Sequence, residues 1–255
     1  MTHQPFQPRR MPLPEINWPA APDSPRLRES EVHVWAFALD VPPERISALA
    51  TTLSTDERQR AEQFRFPRLR ERFIVGRGGM RAILARYTGS DPSRLQFSYS
   101  LRGKPRLTDS ALEFNLAHSD ELALLAVTDS VPVGVDVELI RPMPDGLDIA
   151  RRFFAASEVA AFADVPTDAH DEAFFNLWTR KEAWLKATGD GISESLSKVE
   201  FTFRPGDTAR VVAIDGNPRA AVEWSLSELQ PAVGFTGAVA LRVGEIRLNC
   251  WRAEF

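Results

Sequence analysis

The sequence predicts an α+β fold built from two similar α+β subdomains, with an extended, Pro-rich arm in front of them. Each half of the chain opens with an apolar, strand-like run and continues into a long helical stripe. A short internal echo also links the halves: Arg-Ala-Ile-Leu at 81–84, then Thr-Gly at 88–89, resembles Glu-Ala-Trp-Leu at 182–185, then Thr-Gly at 188–189. The predicted boundaries are 1–30 for the arm, 31–132 for the first subdomain and 133–255 for the second.

The strands are predicted from apolar runs. Residues 32–39 are nearly all apolar and rich in Val, Trp and Phe, which is typical of a strand buried on both faces. In the arm, seven prolines between residues 5 and 25 forbid helix and central strand, so we expect an extended segment on the surface or a mobile one. The remaining strands are predicted over 112–116, 122–128 and 133–140 and as several short runs between 198 and 253.

The helices are predicted from capping patterns and periodicity. Ser54 and Glu57 have the spacing of a capping box, which marks a helix start. A longer helix is predicted over 68–87, and its three glycines, Gly76, Gly78 and Gly79, indicate close packing on a neighbour. Two further helices are predicted near 146–163 and from an Asp168 cap to Thr188.

Composition excludes several classes of protein. The chain has 255 residues, a formal net charge of −4 and a single cysteine, Cys250. An acidic balance argues against a general nucleic-acid binder, although the arginines crowded into 58–86 favour a local anion site. One cysteine cannot form a disulfide within the chain, and we place it in a C-terminal strand. No apolar run is long enough to span a bilayer and no signal peptide opens the chain, so we expect a cytoplasmic protein.

The first motif with chemical content is Gly-Val-Asp-Val-Glu at 134–138. Alternate side chains of a strand share a face, so Asp136 and Glu138 project together while the two valines enter the core. Paired carboxylates are half of a site for a hard divalent cation. An ordinary strand with one solvated face explains the same alternation.

The second motif is Trp-Thr-Arg-Lys-Glu-Ala-Trp-Leu-Lys at 178–186, inside a predicted helix. Glu182 and Lys186 are four residues apart and therefore lie on one face. They are either an ordinary surface ion pair or part of a site, in which Glu182 adds a third carboxylate to Asp136 and Glu138 and Lys186 adds a cation. The Thr-Gly-Asp-Gly at 188–191 is typical of a helix stop and turn, not of a phosphate-binding loop.

The third motif, Phe-Asn-Leu-Ala-His-Ser at 114–119, lies where a strand breaks into polar residues. A histidine at a strand end is usually structural or solvated. His118 and Ser119 lack the tight glycine turn of nucleophilic triads, so a phosphate-binding role for His118 suits the surroundings better. Lys104 and Pro105 lie in a Gly-Lys-Pro turn that by itself says little.

In this order and combination the motifs resemble the 4′-phosphopantetheinyl transferase superfamily. The two halves in one chain resemble its Sfp-type branch, a pseudo-twofold fold, and the resemblance runs over 32–191. It implies that Asp136, Glu138 and Glu182 hold Mg²⁺, with Mn²⁺ as an alternative, and that the catalytic residues are Glu182, Lys186 and Asp136. It implies binding of coenzyme A by Arg72, Lys104, Pro105, His118, Lys181 and Lys186.

Some assignments are looser. Trp178 lies in the helix motif without a defined role, and Arg58 and Arg60 are further cations on a loose alignment. Ala117 departs from the resemblance, because many relatives carry serine there. This departure removes a hydroxyl contact to the nucleotide that the resemblance would otherwise imply.

The resemblance implies transfer of the phosphopantetheine arm of coenzyme A to a serine of an acyl or peptidyl carrier protein, releasing 3′,5′-ADP. We expect a monomer without nucleic-acid or membrane partners, because an internal pseudo-dimer already provides a cleft. Two alternatives remain open from the residues: a Mg²⁺-dependent hydrolase of the coenzyme A pyrophosphate, and an inactive module that only docks carrier proteins. The base that takes the serine proton is Glu182 itself or a metal-bound water.

Overall fold

The computed structural model describes residues 14–22, 24–101, 103–189 and 196–255. The helices are α1 (Pro43–Ala50), α2 (Thr55–Glu62), α3 (Pro67–Thr88), α4 (Gly146–Phe153), α5 (Ala156–Ala163), α6 (His170–Thr188) and α7 (Pro218–Ala221). The strands are β1 (Glu31–Ala38), β2 (Phe97–Tyr99), β3 (Pro105–Leu107), β4 (Leu112–Ser119), β5 (Leu122–Asp129), β6 (Val133–Leu139), β7 (Val199–Phe201), β8 (Val211–Ile214), β9 (Ser225–Leu229), β10 (Phe235–Leu241) and β11 (Arg247–Arg252).

The two halves have the same topology. Each runs strand, two short helices, long helix, two-stranded hairpin and antiparallel strand pair, and α7 is inserted before the last pair of the second half. The sheet orders correspond as well, β1-β5-β4 in the first half and β6-β10-β9 in the second. The prediction of two similar α+β subdomains is confirmed.

Apolar side chains arrange these elements in four layers. One core lies between the two sheets and takes Val34 from β1, Leu124 from β5 and Val135 from β6. The outer face of the first sheet packs on α3, and the outer face of the second packs on α6. Residues 32–37 are fully or almost fully buried because β1 has a hydrophobic layer on each side, which explains its unbroken apolar run.

The last strand crosses back to the first half. β11 pairs in parallel with β1, so the larger sheet has the order β11-β1-β5-β4. The C-terminal strand of the predicted second subdomain, 133–255, therefore belongs to the sheet of the first half. Cys250 lies in β11 opposite Val34, in the C-terminal strand where we expected it.

The described part of the arm lies on the protein surface. Ile16 bridges Ala232, and Ala20 bridges Arg252 at the edge of β11. The carbonyl of Pro19 also accepts a hydrogen bond from the backbone N–H of Arg252. The expectation of an extended surface segment holds for these residues, whereas Pro5, Pro8 and Pro12 lie outside the described residues.

Three local predictions met different outcomes. The capping box at α2 is present, with Ser54 and Glu57 exchanging bonds as expected. The helix predicted over 146–163 is two helices, α4 and α5, because Phe154 and Ala155 have extended backbones. The cap at Asp168 is wrong, since that residue lies in a 3₁₀ turn and α6 begins at His170 without a side-chain cap.

A buried ion pair recurs at equivalent places in the two halves. Glu57 of α2 binds Arg81 of α3 at 2.6 Å, and Glu158 of α5 binds Lys181 of α6 at 2.7 Å. Each glutamate also accepts a bond from the backbone N–H three residues earlier, at the start of its own helix. These four side chains are at most 3% exposed. The internal echo is therefore shifted by one residue, because Arg81 corresponds to Lys181 and not to Glu182.

Close packing at α3 explains two of its three glycines. A Cβ on Gly78 would lie 2.7 Å from the Cβ of Leu49 in α1, and one on Gly79 would lie 2.9 Å from rings of Phe37 and Phe255. A Cβ on Gly76 would meet only the Cδ2 of Leu39, at an ordinary 3.7 Å. The prediction of tight packing is confirmed at Gly78 and Gly79 but is wrong at Gly76.

This difference gives a matched pair of substitutions in one helix. Gly76→Ala should raise the free energy of unfolding by about 0.5–1 kcal/mol, because alanine loses less conformational entropy on folding. Gly78→Ala should lower it by about 1–3 kcal/mol, because α1 must move away from α3. Chemical denaturation of both variants measures the two changes, and equal effects would contradict the packing described for α1.

Candidate active site

Strand β6 touches the backbone of helix α6 at Gly134. A Cβ there would lie 2.0 Å from the carbonyl oxygen of Ala183 and 2.4 Å from the backbone nitrogen of Ala187. Only glycine fits, so the glycine of the motif at 134–138 sets the distance between strand and helix. The alternation that follows is as predicted: Val135 enters the core between the sheets, whereas Asp136 lies beside α6.

Asp136 is a buried carboxylate paired with a lysine. Its Oδ1 lies 2.6 Å from the Nζ of Lys186, which also donates to the carbonyl of Val135 at 3.3 Å. Its Oδ2 is buried and has no hydrogen-bond partner. Burial raises the pKa of Asp136 to about 7, an effect that Lys186 opposes and that Glu138 and Glu182 reinforce.

Glu182 and Glu138 belong to the same charged group. The Oε1 of Glu182 is buried and has no hydrogen-bond partner. Burial raises the pKa of Glu182, and the charge of Glu138 adds to this rise while Lys186 opposes it. Strand and helix thus bring three carboxylates and one ammonium into electrostatic contact.

No group of three or more His, Cys, Asp or Glu side chains among the described residues is arranged to hold a metal ion as it stands. The two carboxylate oxygens without partners, on Asp136 and Glu182, nevertheless suit a hard cation, which takes oxygen ligands. The metal assignment to Asp136, Glu138 and Glu182 stays a prediction.

A cleft of about 1140 Å³ lies between the halves next to these residues. Residues from the β2–β3 hairpin and β4 form one wall, and the C-terminal part of α6 forms the other. Its lining includes Lys104, Pro105, Asn115, Glu182, Lys186 and Ala187. The cleft therefore brings the Gly-Lys-Pro turn and the motif at 114–119 against the helix motif at 178–186, which lies much later in the sequence.

Lys104 connects the two walls of the cleft by hydrogen bonds. Its Nζ donates to the carbonyl oxygen of Lys186 at 2.7 Å and to that of Val133 at 3.0 Å. Burial lowers the pKa of Lys104, and its charge lies near the C-terminal end of α6, where a cation is favourable. Its predicted place beside the ligand stays a prediction, together with that of Pro105.

His118 lies near the end of β4, and Arg72 of α3 lies close to it. His118 reaches solvent, and the surrounding protein together with the charges of Lys186 and Arg72 lowers its pKa. Arg72 binds Asp40 through two bonds of 2.7 and 2.9 Å and donates to Asp120 at 2.9 Å. The hydrogen bonds from Arg72, with a smaller contribution from Arg68, lower the pKa of Asp40 to about 2. Arg72 thus holds the turn after β4, and its contact with a ligand stays a prediction.

The prediction that Lys181 binds the ligand is wrong. Its side chain is 0% exposed and its ammonium contacts Glu158 and the carbonyl oxygens of Leu196 and Val199, at 2.6–2.7 Å. Three contacts use all three donors of an ammonium. Lys181 therefore holds the core of the second half, and Trp178 packs in that same core against Phe174.

Two polar residues of β4 were missed from the site. Asn115 Oδ1 accepts a bond from the backbone N–H of Val135 at 2.8 Å, and Ser119 Oγ donates to Glu138 at 2.6 Å. Their alternation in the motif at 114–119 indicated that they share a face, but nothing in the sequence indicated that this face meets β6. At the other end of the helix motif, Gly189 ends α6 in the left-handed conformation as predicted, and Asp190 and Gly191 lie outside the described residues.

Comparison with known proteins identifies the class to which this fold and cleft belong. A model of the 4′-phosphopantetheinyl transferase superfamily matches residues 132–240, and a model of the 4′-phosphopantetheinyl transferase N-terminal region matches residues 41–130. The two matches meet near the junction of the two halves. None of the described helices has the length and apolar character needed to cross a membrane.

Individual relatives agree with the family models. The 4′-phosphopantetheinyl transferase HetI of Nostoc sp. is 41% identical over 228 residues, which are 88% of this chain and 93% of that protein. The 4′-phosphopantetheinyl transferase psf-1 of Bacillus pumilus is 35% identical over 66% of this chain and 73% of its own. The transferase Sfp of Bacillus subtilis is 31% identical over 55% and 62%. The chain therefore belongs to the 4′-phosphopantetheinyl transferases of the Sfp-like type and is an enzyme of this class.

The position of Lys181 can be tested by substitution. Lys181→Met should lower the free energy of unfolding by about 3–5 kcal/mol, because it leaves the Glu158 carboxylate buried without its partner. Transferase activity per folded molecule and the KM for coenzyme A should stay as in the wild type. Denaturation and steady-state kinetics check both statements.

A double variant is the control. Lys181→Met with Glu158→Gln removes both charges and should recover part of the lost stability. A Lys181→Met protein with normal stability and a raised KM for coenzyme A would instead place this lysine at the ligand.

Proposed function

We propose that this protein transfers the 4′-phosphopantetheine arm of coenzyme A to a serine of an apo acyl or peptidyl carrier protein and releases 3′,5′-ADP. The proposal rests above all on the cleft between the halves, one wall of which carries Glu182 and Lys186 of α6 beside Asp136 of β6. The cleft has the volume of a small-molecule site and joins cations to buried carboxylates.

Cations near the cleft suit the charge of the ligand. Coenzyme A has a pyrophosphate and a 3′-phosphate, which need positive partners and hydrogen-bond donors. Lys186 would contact the pyrophosphate by leaving Asp136, and His118 would receive the 3′-phosphate with Arg72 close by. The charges of Lys186 and Arg72 both act on His118, so the three groups lie near one another. An anion among them would relieve this repulsion.

Divalent cation chemistry is part of the proposal. Asp136, Glu138 and Glu182 would hold Mg²⁺ or Mn²⁺, the first and last through carboxylate oxygens that have no other partner. When bound, the cation neutralises the pyrophosphate and stabilises charge that develops on its oxygens during transfer. Lys186 holds the other oxygen of Asp136, Oδ1, and would leave it for the pyrophosphate when the ligand binds.

Proton removal from the carrier serine falls to Glu182. Its carboxylate lines the cleft, where a general base has to lie within hydrogen-bond reach of the serine hydroxyl. The serine oxygen then attacks the β-phosphorus of coenzyme A, and the bond to 3′,5′-ADP breaks. Lys186 stays near the departing phosphate and offsets its charge.

One chain supplies both walls of the cleft, so we propose that a monomer is active. The expectation of a cytoplasmic location stays a prediction.

The reaction is tested by weighing the carrier. Incubation with coenzyme A, Mg²⁺ and an apo carrier protein should raise the carrier mass by one phosphopantetheine, and a carrier with its serine changed to alanine should keep its mass. EDTA should stop the reaction and excess Mg²⁺ should restore it. Release of 3′,5′-ADP without a carrier and without a gain of mass would support hydrolysis instead.

Lys186 has a matched control in the other half. Lys186→Ala should lower kcat by about 100-fold or more, because a positioned cation that offsets transition-state charge is lost. Since Arg81 corresponds to Lys181, the residue equivalent to Lys186 is Arg86, which lies over the ring of Trp35 and outside the cleft lining. Arg86→Ala should leave kcat within about twofold of the wild type. If Lys186→Ala raised only the KM for coenzyme A, its role would be ground-state binding.

A further inference from the structure

Strands β4 and β6 lie side by side where the two halves meet, although they belong to different sheets. Side chains of β4 bind the backbone of β6 there. Asn115 accepts a bond from the N–H of Val135 at 2.8 Å, and Ser119 Oγ accepts one from the N–H of Leu139 at 3.2 Å. The two contacts are four residues apart on each strand. They fasten the strand that carries Asp136 and Glu138 to the first half.

Ser119 makes a second bond, and its direction is determined. The N–H of Leu139 can only donate, so the serine oxygen accepts there and its proton is available for another group. That group is the Oε2 of Glu138, at 2.6 Å. Ser119 therefore links the backbone of β6 and the carboxylate of Glu138 through one hydroxyl that is itself nearly buried.

Glu138 needs such a contact because of its place at the rim of the site. Its side chain is 22% exposed and has three rotatable bonds, so it can turn toward solvent. Its ion-pair partner, Arg141, is 51% exposed and lies 3.6 Å away, which is a weak contact. Both neighbours engage Oε2, so Oε1 is the oxygen that Ser119 holds in place for a cation.

We propose that Ser119 is a positioning residue that orients Glu138 for binding of the divalent cation. This inference rests on the proposed function and adds a residue to it. It gives the motif at 114–119 two tasks on opposite faces of β4, with His118 facing the ligand phosphates and Ser119 setting the carboxylate of the other half. Hydrogen-bond partners behind metal ligands typically change metal affinity by about 10- to 100-fold when they are removed.

The test measures cation binding without turnover. Mn²⁺ is titrated into the full-length protein with coenzyme A present and carrier absent, and the free-Mn²⁺ EPR signal gives the Kd. Three variants are compared: Ser119→Ala, which lacks the hydroxyl; Ser119→Cys, which keeps the volume but donates weakly; and Ser119→Thr, which keeps the hydroxyl. Ser157→Ala is the matched control, because Ser157 makes an equally short bond to Glu200, at 2.5 Å, outside the cleft lining.

We expect Ser119→Ala and Ser119→Cys to raise the Kd for Mn²⁺ at least about tenfold, with Ser119→Thr much closer to the wild type and Ser157→Ala unchanged. A merely structural Ser119 would lower the melting temperature of Ser119→Ala and leave the Kd of both Ala and Cys variants within twofold of the wild type, which would overturn the inference. If Ser119→Ala does not fold, the Cys and Thr variants decide. Absence of Mn²⁺ binding by the wild-type protein would overturn the proposed metal centre and this inference with it.

Discussion

The site depends on the direct contact between β6 and α6 at Gly134. A strand that packs on a helix through side chains stands well away from it, whereas here the absence of a Cβ lets the two backbones meet. Asp136, two residues further on, then lies within hydrogen-bond distance of Lys186 and is removed from water. Burial without a full set of hydrogen-bond partners is unfavourable for a carboxylate. Two buried oxygens here have no partner, one on Asp136 and one on Glu182. Such a group suits a bound cation better than it suits the stability of the protein alone.

The duplicated framework shows which features serve folding and which serve chemistry. The buried pairs Glu57–Arg81 and Glu158–Lys181 occur in both halves, so they belong to the architecture. One residue after the shared cation the halves differ, with Ala82 in α3 and Glu182 in α6. Both halves have a second cation five residues after the shared one, Arg86 in α3 and Lys186 in α6. In the first half Arg86 covers the ring of Trp35, an apolar surface, and in the second Lys186 meets Asp136.

Much of the fold could be predicted because each half repeats local patterns with a physical cause. The capping box at Ser54, the unbroken apolar run of β1 and the alternation around Asp136 all depend on neighbours in the sequence. The return of β11 to β1 could not be predicted in this way, because strand pairing between residues more than 200 positions apart leaves no local pattern. The prediction that Lys181 binds the ligand failed for a related reason. A lysine in a charged motif is usually exposed, and only the partner Glu158 in another helix makes its burial possible. The contact of Ser119 with Glu138 likewise depends on how the two halves meet.

We propose that Asp136, Glu138 and Glu182 surround one divalent cation and that Lys186 leaves Asp136 when coenzyme A binds. A crystal structure with coenzyme A and Mn²⁺ tests it most directly, because Mn²⁺ is located by its anomalous scattering. We expect one anomalous peak in contact with all three carboxylates, with the Nζ of Lys186 moved to the ligand phosphates. A peak elsewhere, or an Asp136 still paired with Lys186 while coenzyme A fills the cleft, would contradict it.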